Sequence, residues 1–108
     1  MECDQRLVAV LDELKSLAAK KQHDYGSADD PWKNIRTASE FGIPAWQGAL
    51  IRGNDKMSRL KTFCTVGTLA NEGVEDSLID LANYALIALI LFRELTAPEG
   101  ISGRISER

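Results

Sequence analysis

An apolar stretch in the second half of the chain, residues 78–92, carries an aspartate where a buried helix least tolerates charge. The stretch reads LIDLANYALIALILF, and Asp80 and Asn83 are its only strongly polar residues. A buried carboxylate is costly unless it is paired, hydrogen-bonded or bound to a metal ion. Asp76 lies four residues earlier, so on a helix both carboxylates project from one face and can share a cation. The pair therefore indicates either a functional site or a specific ion pair.

Hydrophobic periodicity predicts an all-α fold with four helices and no strand. Short connections favour a helical bundle, and we expect one domain over residues 1–97 and a mobile tail over residues 98–108. The last helix is apolar almost all round, which predicts a central core helix or a subunit interface. The predicted helices cover residues 4–22, 31–41, 44–64 and 74–95.

Apolar positions at helical spacing predict the buried sides of the first three helices. Gly53 interrupts the third helix, since glycine there costs ~1 kcal/mol relative to alanine. The predicted buried positions are Leu7, Val10, Leu11, Leu14, Leu17 and Ala18 on the first helix, Trp32, Ile35 and Phe41 on the second, and Trp46, Leu50, Met57, Leu60 and Cys64 on the third.

The charge balance and the cysteines limit the classes of partner and compartment. The formal net charge of −3 argues against non-specific binding of nucleic acids or anionic membranes. The apolar run is shorter than the ~20 residues of a membrane span and contains an aspartate. Cys3 and Cys64 lack the spacing of a metal or disulfide motif, and the start of the chain does not resemble a signal peptide. These features predict a cytoplasmic protein.

The acids around Asp80 have two kinds of role open to them. Carboxylates are the ligands that Mg²⁺ prefers, and Mg²⁺ often joins them to substrate phosphates, which favours metal binding by Glu75, Asp76 and Asp80. Glu75 and Asp76 also suit the first turn of a helix, where acids complement the helix dipole. Asp80 lies too deep in the helix for that, so its alternative is a pair with a basic side chain from another helix.

A polar face is predicted on the third helix, where Arg52, Asp55, Lys56 and Arg59 recur at i, i+3, i+4 and i+7. Lysine and arginine commonly bind phosphate groups, arginine in a bidentate manner. Asp55 can add a metal ligand. The alternative is a solvated face, in which an Asp55–Arg59 pair contributes only ~0.3–0.5 kcal/mol.

A third polar cluster follows the first helix, in the segment KKQHDYG at residues 20–26. Lys20 and Lys21 can contact phosphates, and Tyr25 and Asn34 can contact a base or sugar. His23 is the only histidine and is more typical of a surface position. The sequence contains neither the residues of a Ser/His/Asp triad at a recognisable spacing nor a glycine-rich phosphate loop.

Four blocks of the sequence occur in an order that is specific in combination. They are KKQHDYG at 20–26, WKNI at 32–35, GALIRGNDKMSRLKTF at 48–63 and VEDSLIDLANYALIALI at 74–90. Together they resemble the MazG-like domains of phage and bacterial genomes, which are labelled as a nucleotide-modification-associated domain and are similar to the all-α NTP pyrophosphatase superfamily. The resemblance covers residues 20–91.

The resemblance implies a helical bundle that forms a homodimer or homotetramer in the cytoplasm of a bacterial or phage-infected cell. It also implies hydrolysis of an NTP or dNTP to NMP and pyrophosphate with Mg²⁺, or with Mn²⁺ in its place. In the superfamily an ExxE…ExxD pattern holds the metal. Asp80 matches its final aspartate, Asp76 replaces a glutamate one turn before, and Asp55 is the acid available for the first half. Ser58 and Ser77 stand at two of its acidic positions.

The leading hypothesis is therefore a Mg²⁺-dependent nucleotide pyrophosphohydrolase. Asp55, Asp76 and Asp80 are its predicted catalytic residues, and the same three with Glu75 are its predicted metal ligands, to which Asp24 is a hypothetical addition. The alternative is a non-catalytic helical module that binds nucleotides or serves oligomerisation. The predicted substrate-binding residues are Lys20, Lys21, Asp24, Tyr25, Asn34, Arg52, Lys56, Arg59 and Asn83.

Overall fold

The computed structural model describes residues 2–25, 32–68 and 73–97. These ranges contain no strand, so the predicted all-α class and the four α-helices are confirmed. The helices are α1 (Gln5–Tyr25), α2 (Lys33–Arg36), α3 (Ala45–Val66) and α4 (Val74–Thr96), with a 3₁₀ helix at Thr37–Phe41 directly after α2. None of these helices is both long and apolar enough to cross a membrane.

The chain divides into two compact units, Met1–Ile35 and Arg36–Arg108. The first contains α1 and most of α2, and the second contains the 3₁₀ helix, α3 and α4. The predicted tail at residues 98–108 lies outside the described residues.

The start of α1 is fixed by Asp4, the residue that precedes it. Oδ1 of Asp4 accepts a hydrogen bond of 2.7 Å from the backbone N–H of Arg6, and its carbonyl accepts from Leu7 and Val8. The Arg6 guanidinium also donates to this carboxylate, with Nη2 2.7 Å from Oδ2. An aspartate that accepts from the second helical N–H is a favourable N-cap, which explains why the helix begins here.

The apolar stripe of α1 is mostly exposed, which corrects the prediction that it is buried. Leu14 is buried, whereas Leu7, Val10 and Leu11 are exposed. The described residues of the first unit include no second long helix that could cover these side chains.

The predicted second helix is broken into a short α-helix and a 3₁₀ helix. Ile35 is buried as predicted and Trp32 is half-buried, but Phe41 is 81% exposed, so its predicted burial is wrong. A 3₁₀ helix has fewer residues per turn than an α-helix, so α-helical spacing does not predict which side of this segment Phe41 occupies. Gly42 ends the segment with φ of +82°, a left-handed conformation that glycine adopts without strain.

The core of the second unit is an antiparallel pair formed by α3 and α4. Trp46 near the start of α3 packs edge-to-face on Phe92 near the end of α4, with ring centroids 5.2 Å apart. Further along, Lys56 of α3 meets Asp80 of α4. Arg36, which directly precedes the 3₁₀ helix, forms a salt bridge with Glu94 of α4, with Nη1 2.8 Å from Oε1.

The side of α3 that faces α4 is made of small residues. Gly48, Ala49 and Gly53 are the buried residues of this helix. A Cβ atom on Gly53 would lie 3.4 Å from Cδ1 of Leu81 and 3.5 Å from Cβ of Tyr84. The two backbones therefore approach closely at Gly53, and the glycine that weakened the helix prediction is a packing residue.

The larger apolar side chains of α3 lie beside this contact. Leu50, Met57 and Cys64, which were predicted to form the buried side, are exposed. The reason is that Gly48, Ala49 and Gly53 occupy the side of α3 that contacts α4. The larger side chains project beside this contact and remain accessible to solvent.

The buried side of α4 carries polar groups, and its outer side carries exposed leucine and isoleucine. The prediction of a central core helix is therefore wrong for the outer side, and the alternative of a subunit interface stays a prediction. The buried residues are Ser77, Asp80, Asn83, Tyr84, Ile87, Ala88 and Leu91, and the exposed apolar ones are Leu78, Leu86, Leu89, Ile90 and Leu95.

Candidate functional site

The Asp80 carboxylate is paired with the Lys56 ammonium between α4 and α3. Nζ lies 3.1 Å from Oδ2, and the side chains are only 20% and 11% exposed for Lys56 and Asp80 respectively. This is the ion pair that the sequence left open as the alternative to metal binding. The burial matters, since removal of one partner from a buried pair leaves the other charge uncompensated.

The predicted polar face of α3 is only partly solvated. Arg52 and Asp55 are exposed, whereas Lys56 and Arg59 are half-buried. Nε and Nη2 of Arg59 are inaccessible to solvent. The side chains of Lys56 and Arg59 are therefore partly buried against neighbouring residues, which the alternative of a freely solvated face does not predict.

Three buried polar residues of α4 surround the position of Asp80 along the helix. Ser77 is fully buried, Tyr84 is buried, and Asn83 is 5% exposed. The Asn83 amide carries both hydrogen-bond donors and an acceptor on the buried side of α4 that also holds Asp80, so Asn83 is suited to contact a ligand. Ser77 was predicted only as a replacement for an acid of the superfamily pattern, although its spacing of three residues from Asp80 indicates a shared face on the helix.

The other predicted metal ligands are not gathered around Asp80. Asp55, Glu75 and Asp76 are exposed, and Glu75 and Asp76 occupy the first turn of α4, where acids complement the helix dipole. Across residues 2–25, 32–68 and 73–97, no three histidine, cysteine or acidic side chains are grouped to hold a metal ion.

A divalent cation needs several oxygen ligands, and the described residues do not fit such a site at Asp80. They offer one carboxylate there, and its Oδ2 atom faces the Lys56 ammonium. The predicted metal-binding roles of Asp55, Glu75, Asp76 and Asp80 stay predictions for the complete chain.

The predicted residues of the KKQHDYG segment are only partly described. Lys20 of α1 is exposed, as is Asn34 of α2, and both lie in the first unit. The side chains of Lys21, Asp24 and Tyr25 lie outside the described residues. The hypothesis that residues of this segment and residues of α3 bind the same substrate molecule stays a prediction.

Two shallow grooves lie along the edge of the α3–α4 pair that does not carry Lys56. One, of about 200 Å³, lies over Gly53 and is lined by Asn54, Met57, Leu81 and Tyr84 among others. The second, of about 380 Å³, is lined by Trp46, Leu50, Ala85, Ala88, Leu89 and Phe92. Neither groove has a charged lining residue, so neither is suited to bind phosphate groups.

By helical spacing, the grooves and the ion pair lie on opposite edges of α3. Leu50, Asn54 and Met57 line the first groove, whereas Arg52, Lys56 and Arg59 project from the other edge. The edge with Lys56 is therefore the candidate site for a phosphate-bearing ligand.

The model of one protein family, described as nucleotide modification associated domain 1, matches residues 21–92. No curated protein and no solved structure matches the chain significantly. The family match confirms the part of the predicted resemblance that concerns a nucleotide-modification-associated domain, while membership of the MazG-like superfamily stays a prediction. Since the match covers more than half of the chain and includes α3 with most of α4, the chain belongs to the nucleotide modification associated domain 1 family.

Proposed function

We propose that this chain binds the phosphate groups of a nucleotide along the edge of α3 that carries Arg52, Lys56 and Arg59. The observation that carries the proposal is the Lys56–Asp80 pair, with Nζ 3.1 Å from Oδ2. A carboxylate that fixes a half-buried ammonium reduces the side-chain entropy lost when a ligand binds. Arg52 and Arg59 add positive charge on the same edge of the helix.

The family description supports a nucleotide as the ligand class, because it associates the matched region with nucleotide modification. The matched region contains Lys56, Asp80 and Asn83. Phosphates need cationic donors, and a base or sugar needs neutral donors and acceptors such as a buried amide. The cations of α3 and Asn83 of α4 supply these two kinds of group within one helix pair.

A second candidate is the hydrolysis of an NTP or dNTP to NMP and pyrophosphate with Mg²⁺, which the resemblance to MazG-like domains implies. The observation that favours it is the burial of Asp80 within an otherwise apolar helix, at the position of the pattern's final aspartate. Since the described residues do not fit a metal site, this candidate needs ligands from other residues of the chain or from a second copy in a homodimer or homotetramer.

The test is thermal stabilisation by a panel of NTPs, dNTPs, NMPs and inorganic pyrophosphate, each with Mg²⁺ and with EDTA. A ligand present at 100 times its Kd stabilises the folded state by about 2.7 kcal/mol. We expect triphosphates to stabilise the protein more than NMPs, because more phosphate oxygens contact α3.

The matched variants are Lys56→Gln and Lys61→Gln. Both remove one positive charge from α3, but Lys61 is exposed and projects from the other edge. Stabilisation is expected to fall for Lys56→Gln and to persist for Lys61→Gln. The proposal is overturned if no nucleotide or pyrophosphate stabilises the protein, or if both variants behave alike. Release of NMP and pyrophosphate, resolved by chromatography, would establish the second candidate.

A further inference from the structure

We infer that the Lys56 ammonium takes the place of a divalent cation beside Asp80, so that a nucleotide binds at this position without a metal ion. The inference rests on the proposed function and specifies the form of its ligand. That form is a nucleotide polyphosphate that is not bound to Mg²⁺.

The first support is the charge balance at Asp80. A carboxylate on the buried side of an apolar helix needs a compensating cation or hydrogen bonds. Lys56 provides the cation, with Nζ 3.1 Å from Oδ2 and both side chains largely buried. A divalent cation bound at the same carboxylate would be repelled by the ammonium. The repulsion would be twice that of a monovalent cation at the same distance.

The second support is the number of carboxylates. Asp55, Glu75 and Asp76 are exposed, and the described ranges contain no group of three potential metal ligands. Ser77, one turn before Asp80 on the buried side of α4, is a neutral hydroxyl. The Asp80 carboxylate already has a cation beside it in Lys56, whereas Mg²⁺ would need further oxygen ligands.

The third support is the chemistry of the cations on α3. An ammonium carries three N–H donors, so Nζ of Lys56 can donate to Asp80 and also to a phosphate oxygen bound beside it, and the Lys56 side chain is 20% exposed. Arg59, one turn further along α3, adds a second positive charge close to this position, which favours an anionic ligand. A triphosphate without Mg²⁺ has two more negative charges than its Mg²⁺ complex, so these cations favour the free form.

The binding experiment measures the Kd of the common dNTPs and of inorganic tripolyphosphate by calorimetry, in EDTA and in excess Mg²⁺. We expect binding in EDTA to be as tight as in Mg²⁺ or tighter. Lys56→Gln is expected to weaken binding in EDTA by about tenfold or more, the loss typical of one charge-assisted hydrogen bond. Lys61→Gln, on the other edge of α3, is the control and is expected to bind as the unmodified chain does.

The metal experiment needs no nucleotide and uses Mn²⁺ as the probe, with bound ion measured by electron paramagnetic resonance. We expect the unmodified chain and Asp80→Asn to bind the same amount of Mn²⁺, because Asp80 is engaged by Lys56. If Asp80→Asn unfolds, the double variant Lys56→Gln/Asp80→Asn replaces it, since two amides of similar size leave no lone buried charge.

Two results would overturn the inference. One is a Mn²⁺ site in the unmodified chain that disappears in Asp80→Asn or in the double variant. The other is nucleotide binding that occurs only with Mg²⁺. Failure of the proposed function is distinguishable from both, because it would appear as no binding of nucleotide or tripolyphosphate in either buffer, while the Mn²⁺ measurement would still decide the role of Lys56.

Discussion

Gly53 and Tyr84 are in contact across the two long helices of the second unit, since a Cβ on Gly53 would lie 3.5 Å from Cβ of Tyr84. This distance is an ordinary van der Waals contact, so one methyl group fits and a larger side chain does not. The two helices are therefore held at a separation that only a very small residue at this position permits.

Gly53→Ala is expected to stabilise the protein and Gly53→Val to destabilise it. Alanine gains up to ~1 kcal/mol of helix propensity without a clash, whereas the larger valine overpacks the contact at a cost of ~1–3 kcal/mol. Urea denaturation followed by circular dichroism measures both changes. A loss of stability in Gly53→Ala would contradict the expectation that the space between the helices accepts a methyl group.

Removal of either partner of the Lys56–Asp80 pair should be more damaging than removal of both. We expect Lys56→Met or Asp80→Leu to lower the free energy of unfolding by about 2–3 kcal/mol, less than the ~3–5 kcal/mol of a fully buried pair because both side chains retain some exposure. The double variant should lose much less than the sum of the two. Additive losses in this double-mutant cycle would show that the two charges act independently.

Asn83→Leu should separate stability from ligand binding. The side chain is only 5% exposed, so an apolar leucine of similar size is expected to keep or raise the free energy of unfolding. If the amide contacts the nucleotide, affinity falls by about tenfold at the same time. Asn54→Leu, on the opposite edge of the helix pair, is the control for affinity. A variant that is both more stable and equally able to bind nucleotide would remove Asn83 from the site.

The cap of α1 predicts a pH dependence with a definite sign. The Arg6 guanidinium, and then the backbone N–H of Arg6, hold the pKa of the Asp4 carboxyl below its usual value. The ionised form is the stabilised one, so its contribution is complete above the unfolded pKa of ~3.9 and is lost as the pH falls through the lower folded value. Asp4→Asn should therefore have a lower Tm than the unmodified chain at neutral pH, and the two should converge once the pH falls below the lowered pKa of the folded state. A difference in Tm that is independent of pH would contradict this role of the charge.

The predicted homodimer or homotetramer can be tested on the outer side of α4. Leu86, Leu89 and Ile90 are exposed there and form a neighbouring apolar group. If a second copy covers them, Leu86→Lys should shift the mass measured by light scattering to that of a monomer, whereas Val66→Lys at the exposed end of α3 should not. A monomeric unmodified chain at micromolar concentration would contradict the oligomer.

The helices and the importance of Asp80 could be predicted because they depend on local patterns. An aspartate in an apolar run requires compensation whatever the fold, and apolar residues at helical spacing identify helices directly. That the polar side of α4 is its buried side could not be predicted from its own sequence, because a helix that is apolar almost all round carries no signal for which face is buried.

The partner of Asp80 could not be chosen from the sequence for a related reason. Several cations of α3 were candidates, and the choice depends on the register between α3 and α4. That register is set by the small residues Ala49 and Gly53, whose effect is a distance between backbones and not a hydrophobic pattern. Likewise, the exposure of Phe41 depends on a change of helical pitch that periodicity does not reveal.

The position of the Lys56–Asp80 pair on two consecutive helices also has a kinetic consequence. Contacts between neighbouring elements form early and quickly, because little chain has to be ordered before they close. We therefore expect the docking of α4 on α3 and the formation of the ion pair to be one folding event. The Asp80 carboxylate is then desolvated only when the Lys56 ammonium is next to it. During translation, a nascent chain that has α3 but not yet α4 carries the lysine without its carboxylate, so competence to bind a ligand arises only after α4 has been synthesised.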